Sequence, residues 1–163
     1  MPLKLPGLIR ISDYGGDWEK YLEAIYTLFK IDFIDNQAFF NGTILGLKRY
    51  PLIRDKEATF WHLITKDDKE AQDRLADLRR CERIKWPKFI IDNNKDDDIK
   101  VWETIKNNDL RIHIAYKWEY VVVLSRRKGY LLLWTAFVVE HNHKKKKMKK
   151  EYDSFVKKQT PPQ

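Results

Sequence analysis

Apolar residues in the first third of the chain follow two different spacings. Residues 1–16 contain two prolines and two adjacent glycines, so we expect this segment to be irregular. Asp17 is a suitable N-cap for a helix, because apolar side chains then recur every three or four residues. These apolar positions are Trp18, Tyr21, Leu22, Ile25, Leu28 and Phe29. Residues 38–47 are rich in aromatic and β-branched residues, which predicts strands joined by a turn at Asn41-Gly42.

The next segment carries a strand-like run followed by a helix signal. Residues 58–64 are again aromatic and β-branched, and we expect a further strand there. Thr65 and Asp68 have the spacing of a capping box, which predicts a second helix. We expect this helix to end before Pro87, because proline cannot continue the backbone hydrogen-bond ladder. Its apolar stripe is narrow and consists of Ala71, Leu75, Leu78 and Ile84.

The second half of the chain is strand-like after a polar loop at residues 92–98. Runs of β-branched and aromatic residues predict four strands, at residues 99–105, 110–116, 120–124 and 130–139. Their short connections, of which residues 126–129 are the clearest hairpin turn, require antiparallel neighbours. Residues 121–124 and 131–134 are apolar throughout, which indicates central strands covered on both faces. We therefore expect an α+β fold in which N-terminal helices pack on a mainly antiparallel β-sheet.

Length and composition place this pattern in one domain. Of 163 residues, 43% are hydrophobic, which excludes a collagen-like or wholly disordered chain. We expect an irregular segment at residues 1–16, a single α+β domain at residues 17–143 and a basic helix or tail at residues 144–163. We see no signal peptide and no apolar stretch long enough to cross a membrane, so we expect a soluble cytoplasmic protein without a membrane partner. The single cysteine, Cys81, has no partner for an internal disulfide.

The net charge of +8 is concentrated near the C-terminus. Residues 141–163 hold eight lysines against Glu151 and Asp153, so this segment supplies +6 and the remaining 140 residues supply only +2. A strongly basic protein often binds nucleic acid. Here the lysines form either a solvated helix face or a patch that attracts phosphate, and the pattern fits both.

Several polar residues interrupt segments that otherwise have the composition of a core. His62 lies within the run at residues 60–64, and Thr135 lies within the apolar last strand. Arg111 and His113 alternate along their strand and therefore point to the same face. Buried polar groups are costly unless they are paired or line a cleft. One such residue alone is usually a satisfied structural group, whereas several on one face form a candidate site.

The residue types at this candidate site predict a cationic centre without a metal. Metal-dependent nucleases need several oxygen ligands, and the dense carboxylates Asp96 to Asp98 lie in the polar loop. Histidine, arginine and threonine instead suit cleavage of RNA by its own 2′-hydroxyl, with no cofactor. One group removes the 2′-hydroxyl proton, another protonates the leaving 5′-oxygen, and a cation stabilises the phosphorane. The candidate catalytic residues are His62, Arg80, Arg111 and Thr135, and the candidate substrate-binding residues are Lys66, Arg83, Lys85 and His113.

Four segments, in their order along the chain, resemble one group of nucleases. They are FWHLIT at residues 60–65, RCERIKW at 80–86, RIHI at 111–114 and WTAFVVE at 134–140. Together they resemble the phage-associated branch of the barnase, EndoU, colicin RNase and RelE-like (BECR) nuclease superfamily, over roughly residues 36–155. The resemblance implies a small α+β fold and a metal-independent ribonuclease, commonly a toxin of a conflict system. It also implies active-site groups at His62, Arg111 and Thr135. For a toxin, we expect a neutralising antitoxin or immunity protein as a partner besides RNA.

Other interpretations of the same sequence stay open. A noncatalytic RNA-binding or regulatory module keeps such a fold and lacks turnover, and a protein-interaction factor uses it without binding RNA. His141 and His143 form either an exposed metal-binding pair or an ordinary polar strand end. Trp102 and Trp118 either stack on bases or pack in the core. Specificity for an RNA target depends on cleft shape, which has no readable code in the sequence.

Overall fold

The frame of the molecule is a curled six-stranded β-sheet. The computed structural model describes residues 2–68, 70 and 73–159. The strands in this part of the chain are β1 (Phe39–Phe40), β2 (Thr43–Gly46), β3 (Thr65–Asp68), β4 (Asp73–Ala76), β5 (Ile99–Lys106), β6 (Asp109–Tyr116), β7 (Tyr120–Arg127) and β8 (Tyr130–Val138). The spatial order of the large sheet is β1-β2-β8-β7-β6-β5, whereas β3 and β4 form a separate hairpin. These strands pair antiparallel, except that β2 runs parallel to β8.

Helices cover both faces of this sheet. In the described part of the chain they are α1 (Trp18–Phe33), α2 (Ala58–Ile64), α3 (Leu78–Glu82), α4 (Trp86–Asp92) and α5 (Asn142–Gln159), with a 3-10 helix at Ile11–Tyr14 before them. Helix α1 begins where the sequence predicts it, because the Asp17 carboxylate accepts a hydrogen bond from the Lys20 backbone N–H at 3.2 Å. None of the helices described here is both long and apolar enough to span a membrane. The predicted α+β class is confirmed.

Helices α1 to α4 pack on one face of the sheet, which we call the core face. The rings of Tyr26, Phe29 and Phe60 lie at its centre, with centroids between 5.0 and 6.1 Å apart. Strands β6, β7 and β8 contribute alternate residues to it, namely Ile112, Ile114, Tyr120, Val122, Leu124, Leu131, Leu133 and Ala136. Burying one large apolar side chain of this kind stabilises a fold by about 1.5–3 kcal/mol.

Helix α5 packs on the opposite face, which we call the α5 face. Met148 on the helix is buried against Trp102, Val121 and Val123 of the sheet. The rings of Trp102 and Tyr152 meet edge to face, with centroids 6.2 Å apart. The lysine-rich end of the sequence therefore forms an ordered helix whose apolar residues hold it on the sheet.

A β-bulge interrupts the pairing of β7 with β8. Val123 pairs with Thr135, but the next residue of β7, Leu124, pairs with Leu133, so Trp134 is the extra residue. The bulge changes the alternation of side chains along β8. As a result the consecutive residues Trp134 and Thr135 both line the α5 face, while Leu133 remains on the core face.

Several local predictions are confirmed. The strands β5 to β8 lie at the expected residues, with β7 extending three residues further, to Arg127. The predicted antiparallel pairing of these strands and the central position of β7 and β8 are also found. The turn at Asn41-Gly42 has both residues at positive φ (48° and 87°), as a two-residue hairpin turn requires.

Two predictions of local structure are wrong, and a third is wrong in its physical reason. Residues 58–64 form helix α2 rather than a strand, and five of its seven residues are buried. The predicted second helix is mostly the β3–β4 hairpin, and α3 begins only at Leu78, while Ala71 lies outside the described residues. A helix does end before Pro87, because α3 ends at Glu82, but proline is not what ends it: Pro87 lies in the first turn of α4, where its missing N–H costs no hydrogen bond.

Candidate active site

A pocket opens between the α5 face of the sheet and helix α5, and we call it the sheet–helix pocket. Its volume is about 210 Å³. Its cationic lining consists of Lys106, Arg111, Lys144 and Lys147, its other polar lining of Thr104, His113, Thr135 and Glu151, and its apolar lining of Val123, Trp134, Phe137 and Met148. The lining holds four cations against one carboxylate, and Asp109 outside the lining pairs with one of them, Arg111, so the balance of charge is still positive and favours an anionic ligand.

Arg111 is held in this pocket from two sides. Its Nε donates a hydrogen bond to Asp109 Oδ2 at 3.0 Å, and its guanidinium carbon lies 5.4 Å from the centre of the Trp134 ring. Asp109 also accepts a hydrogen bond from the buried Ser125 hydroxyl at 2.5 Å and from Arg127 at 3.3 Å. The Ser125 hydrogen bond and the two guanidinium groups keep the pKa of Asp109 below its usual value. Asp109 therefore stays ionised and fixes the position of Arg111.

His113 is a neutral imidazole next to these cations. Its ring stacks on Trp102 with centroids 5.0 Å apart, and its Nε2 lies 2.8 Å from the Thr104 hydroxyl. Burial, together with the nearby charges of Arg111, Lys144 and Lys147, lowers the pKa of His113 to about 4, and burial is the largest of these causes. At neutral pH this ring is therefore uncharged.

His62, in the last turn of helix α2, is not one of the residues that line the pocket, but it contacts two that do. Its ring stacks nearly parallel on Trp134, with centroids 5.7 Å apart. Its backbone carbonyl accepts a hydrogen bond from the Thr135 hydroxyl at 3.3 Å. Burial lowers the pKa of His62, and the nearby charges of Arg74 and Lys48 act in the same direction. Like His113, this imidazole is therefore uncharged at neutral pH, although the lowered pKa also makes it a weaker base.

Arg80 connects helix α3 to the same residues. Its Nη1 donates to the carbonyl oxygens of Thr65 at 2.6 Å and His62 at 3.3 Å, and lies 3.5 Å from the Thr135 hydroxyl. The predicted catalytic residues are thus linked in one series of contacts that runs from Arg80 through Thr135 and His62 to Trp134 and then Arg111.

A second, smaller pocket adjoins the first, and we call it the β3-side pocket. Its volume is about 160 Å³, and its polar lining consists of Lys66, Asp77, Arg80, Glu140, His141 and Lys144. Asp77 Oδ2 lies 3.7 Å from Lys66 Nζ and 3.8 Å from Arg80 Nε. Glu140 is paired with Arg79, at 3.1 Å. Lys66, a predicted substrate-binding residue, therefore lies beside Arg80 at this pocket.

Arg83 and Lys85 do not join either pocket. The guanidinium carbon of Arg83 lies 5.0 Å from the Trp86 ring centre, and its Nη1 donates to the Arg79 carbonyl at 3.0 Å. Lys85 is an exposed residue just before α4. The structure thus brings together His62, Lys66, Arg80, Arg111, His113 and Thr135 and leaves these two apart.

The sequence prediction missed several residues of the site. Trp134 was hidden within an apolar run, and only its bulge directs it toward the pocket. Lys144 and Lys147 are three residues apart, so a helix places them on one side, but nothing local shows that this side faces the sheet. Trp102 is fully buried under α5. Of the two uses that the sequence leaves open for it, stacking on bases and packing in the core, the structure shows packing in the core.

Comparison with known proteins adds no relative. No protein-family model, no curated protein and no solved structure matches this chain. Within residues 2–68, 70 and 73–159, no three or more His, Cys, Asp or Glu side chains are grouped so that they would hold a metal ion. The rings of His141 and His143 stack on each other, with centroids 5.4 Å apart.

Proposed function

We propose that this protein is an endoribonuclease that cleaves RNA without a metal ion, by attack of the 2′-hydroxyl on the adjacent phosphate. The observation that carries the proposal is the grouping of Arg111, the Thr135 hydroxyl and the neutral imidazole of His113 in the lining of the cationic sheet–helix pocket, with the neutral imidazole of His62 stacked on the lining residue Trp134. Cations and hydroxyls are the groups that bind phosphate and stabilise a phosphorane. A neutral imidazole is the common base for removing a hydroxyl proton near neutral pH.

In this proposal His62 accepts the proton of the 2′-hydroxyl. The 2′-oxygen then bonds to phosphorus, and the bond from phosphorus to the 5′-oxygen breaks. An ammonium group of α5, from Lys144 or Lys147, supplies the proton that the leaving 5′-oxygen needs. Arg111 and Thr135 hold the phosphoryl oxygens. The products are a 2′,3′-cyclic phosphate and a 5′-hydroxyl.

We further infer that the chain belongs to the phage-associated branch of the BECR superfamily and acts as a toxin. This part rests on the ordered segments FWHLIT, RCERIKW, RIHI and WTAFVVE, which resemble that branch. The α+β architecture, in which helices α1 to α4 all precede the antiparallel strands β5 to β8, is compatible with it. A toxin of this kind acts on cellular RNA in the cytoplasm and is neutralised by a protein that covers the basic pocket.

The test is incubation of the purified protein with a structured RNA, with the matching 2′-deoxy oligomer, and with the RNA plus EDTA. We expect cleavage of RNA only, unaffected by EDTA, with 2′,3′-cyclic phosphate ends. His62→Ala is expected to lower kcat by about 100- to 10,000-fold. It should leave RNA affinity nearly unchanged, because a neutral imidazole adds no charge to phosphate binding. His143→Ala, an exposed histidine outside both pockets, is the matched control. Cleavage that EDTA abolishes would refute the metal-free mechanism.

A second candidate function is noncatalytic RNA binding at the same site. One observation favours it: the pKa values of both His62 and His113 are lowered, so neither ring is charged at neutral pH to act as the general acid. In that case the protein retains both RNA and the 2′-deoxy oligomer, with an affinity that falls as salt rises, and cleaves neither.

A further inference from the structure

The two pockets of the candidate site are joined by shared residues. Lys144 and Phe137 line both of them, and the Lys144 ammonium lies 4.9 Å from the centre of the Phe137 ring. A second contact also joins the pockets: Nη1 of Arg80, which lines the β3-side pocket, lies 3.5 Å from the hydroxyl of Thr135, which lines the sheet–helix pocket. The pockets are therefore adjacent basins that share Lys144 and Phe137 in their linings.

Both basins have a positive balance of charge. In the sheet–helix pocket four cations face Glu151, and in the β3-side pocket three cations face two carboxylates. One of these two, Glu140, is already paired with Arg79 outside the pocket lining. Because Lys144 lines both basins, two anions bound there would be close neighbours. Successive phosphates of a single nucleotide strand have this arrangement of neighbouring negative charges.

We propose that the β3-side pocket is a second phosphate subsite, which binds the phosphate next to the one held in the sheet–helix pocket. This inference rests on the proposed function for the identity of the ligand as an RNA strand. It narrows the substrate to oligonucleotides with at least two successive phosphates. A dinucleoside monophosphate fills only one of the two basins and is a poor ligand.

Lys66 is the residue that tests the subsite. It lines only the β3-side pocket, and its side chain is 51% exposed, so its replacement leaves the core intact. Lys147 lines only the sheet–helix pocket. Lys128 lies in the turn between β7 and β8, exposed and away from both pockets, and serves as the matched control.

The experiment measures binding of two 2′-deoxy oligomers, which lack the attacking hydroxyl. One is a dinucleoside monophosphate, and the other carries one more phosphate. We expect the second to bind about three- to tenfold more tightly, with a steeper salt dependence. Lys66→Gln should remove this gain and leave affinity for the first oligomer unchanged. Lys147→Gln should weaken both oligomers, and Lys128→Gln should weaken neither.

The outcomes separate this inference from the proposed function. If Lys66→Gln weakens both oligomers by the same factor, or if the second phosphate adds no affinity, the subsite is refuted, whether or not RNA is cleaved. If the gain is present and depends on Lys66 while RNA is never cleaved, the subsite stands and the ribonuclease proposal fails. A wild-type protein that binds neither oligomer also refutes the subsite.

Discussion

The core face and the α5 face of the sheet are built by the same strands, but the core face is apolar whereas the α5 face carries charged and polar side chains around a pocket. Strand β6 presents Ile112 and Ile114 to the core face, and both are almost completely buried. The residues that alternate with them along the strand, Arg111 and His113, point to the α5 face and line the sheet–helix pocket. The difference shows that the alternation of a strand separates residues that hold the fold from residues available for chemistry.

The covering helices explain why the two faces differ. Helices α1 to α4 seal the core face, whereas α5 covers the other face only in part and leaves the pocket open along one side. Polar groups on the α5 face are not orphaned, because in the described part of the chain every buried side-chain nitrogen or oxygen has a hydrogen-bond partner. The α5 face therefore accommodates charge at little cost to the fold.

The largest expected effect on stability comes from removing a buried aromatic side chain from the core face. Phe60→Ala removes a fully buried ring that contacts Tyr26 and Phe29, and it should lower the free energy of unfolding by about 3–5 kcal/mol. Phe155→Ala, on the half-buried apolar side of α5, should cost only about 1–2 kcal/mol. Urea denaturation of both variants measures the difference. Equal losses would show that the two faces are equally sealed.

The second prediction concerns pH and is specific to the α5 face. The pKa of His113 is about 4 in the folded protein, against an ordinary value of 6.5, so the unfolded chain binds the proton more tightly. The free energy of unfolding should therefore be undiminished above about pH 6.5 and fall by about 2–3 kcal/mol as the pH drops to 4. His113→Asn should remove this part of the slope, since it has no titrating ring.

The control for the pH experiment is His143→Asn, which replaces an exposed histidine at the start of α5. It should follow the wild-type curve. The comparison of wild type with His113→Asn also cancels the contributions of Asp109 and His62, which the two proteins share. Parallel curves for wild type and His113→Asn between pH 7 and pH 4 would contradict the assignment of a buried neutral ring.

The contrast between local patterns and contacts formed only in the folded protein also explains which parts of the fold the sequence predicts correctly. Strands β5 to β8 follow from local alternation, apolar runs and short turns, all of which are properties of neighbouring residues. Helix α2 was mistaken for a strand because it is buried on most sides and so lacks the polar face that gives a helix its period. The β3–β4 segment predicts a helix because Thr65 and Asp68 have the spacing of a capping box, whereas the hairpin itself is exposed and mostly polar and so lacks the apolar alternation of a strand.

The candidate site was predictable only in part for a related reason. Arg111 and His113 share a strand, so their common face follows from spacing alone. The bulge at Trp134 and the docking of Lys144 over the sheet depend on contacts between residues far apart in the chain. No spacing rule joins His62 to Thr135, because helix α2 and strand β8 meet only in the folded protein.

The smallest effect on stability is expected for a substitution of Asp109 on the α5 face. It should change the activity of the protein but leave its fold unchanged. Asp109→Asn keeps an acceptor for Ser125 but removes the charge that holds Arg111, and both ion-pair partners are about a quarter to a third exposed. The free energy of unfolding should change by less than about 1 kcal/mol. If the ribonuclease proposal is correct, kcat should fall about tenfold because Arg111 is no longer positioned. KM should not rise, since a negative charge near the phosphate site has been removed.

Asp153→Asn, which replaces an exposed acid on α5, is the control. A raised KM with unchanged kcat would contradict the positioning role and would instead assign Asp109 to substrate binding in the ground state. A loss of several kcal/mol in the free energy of unfolding would show that the α5 face stabilises the fold as much as the core face does.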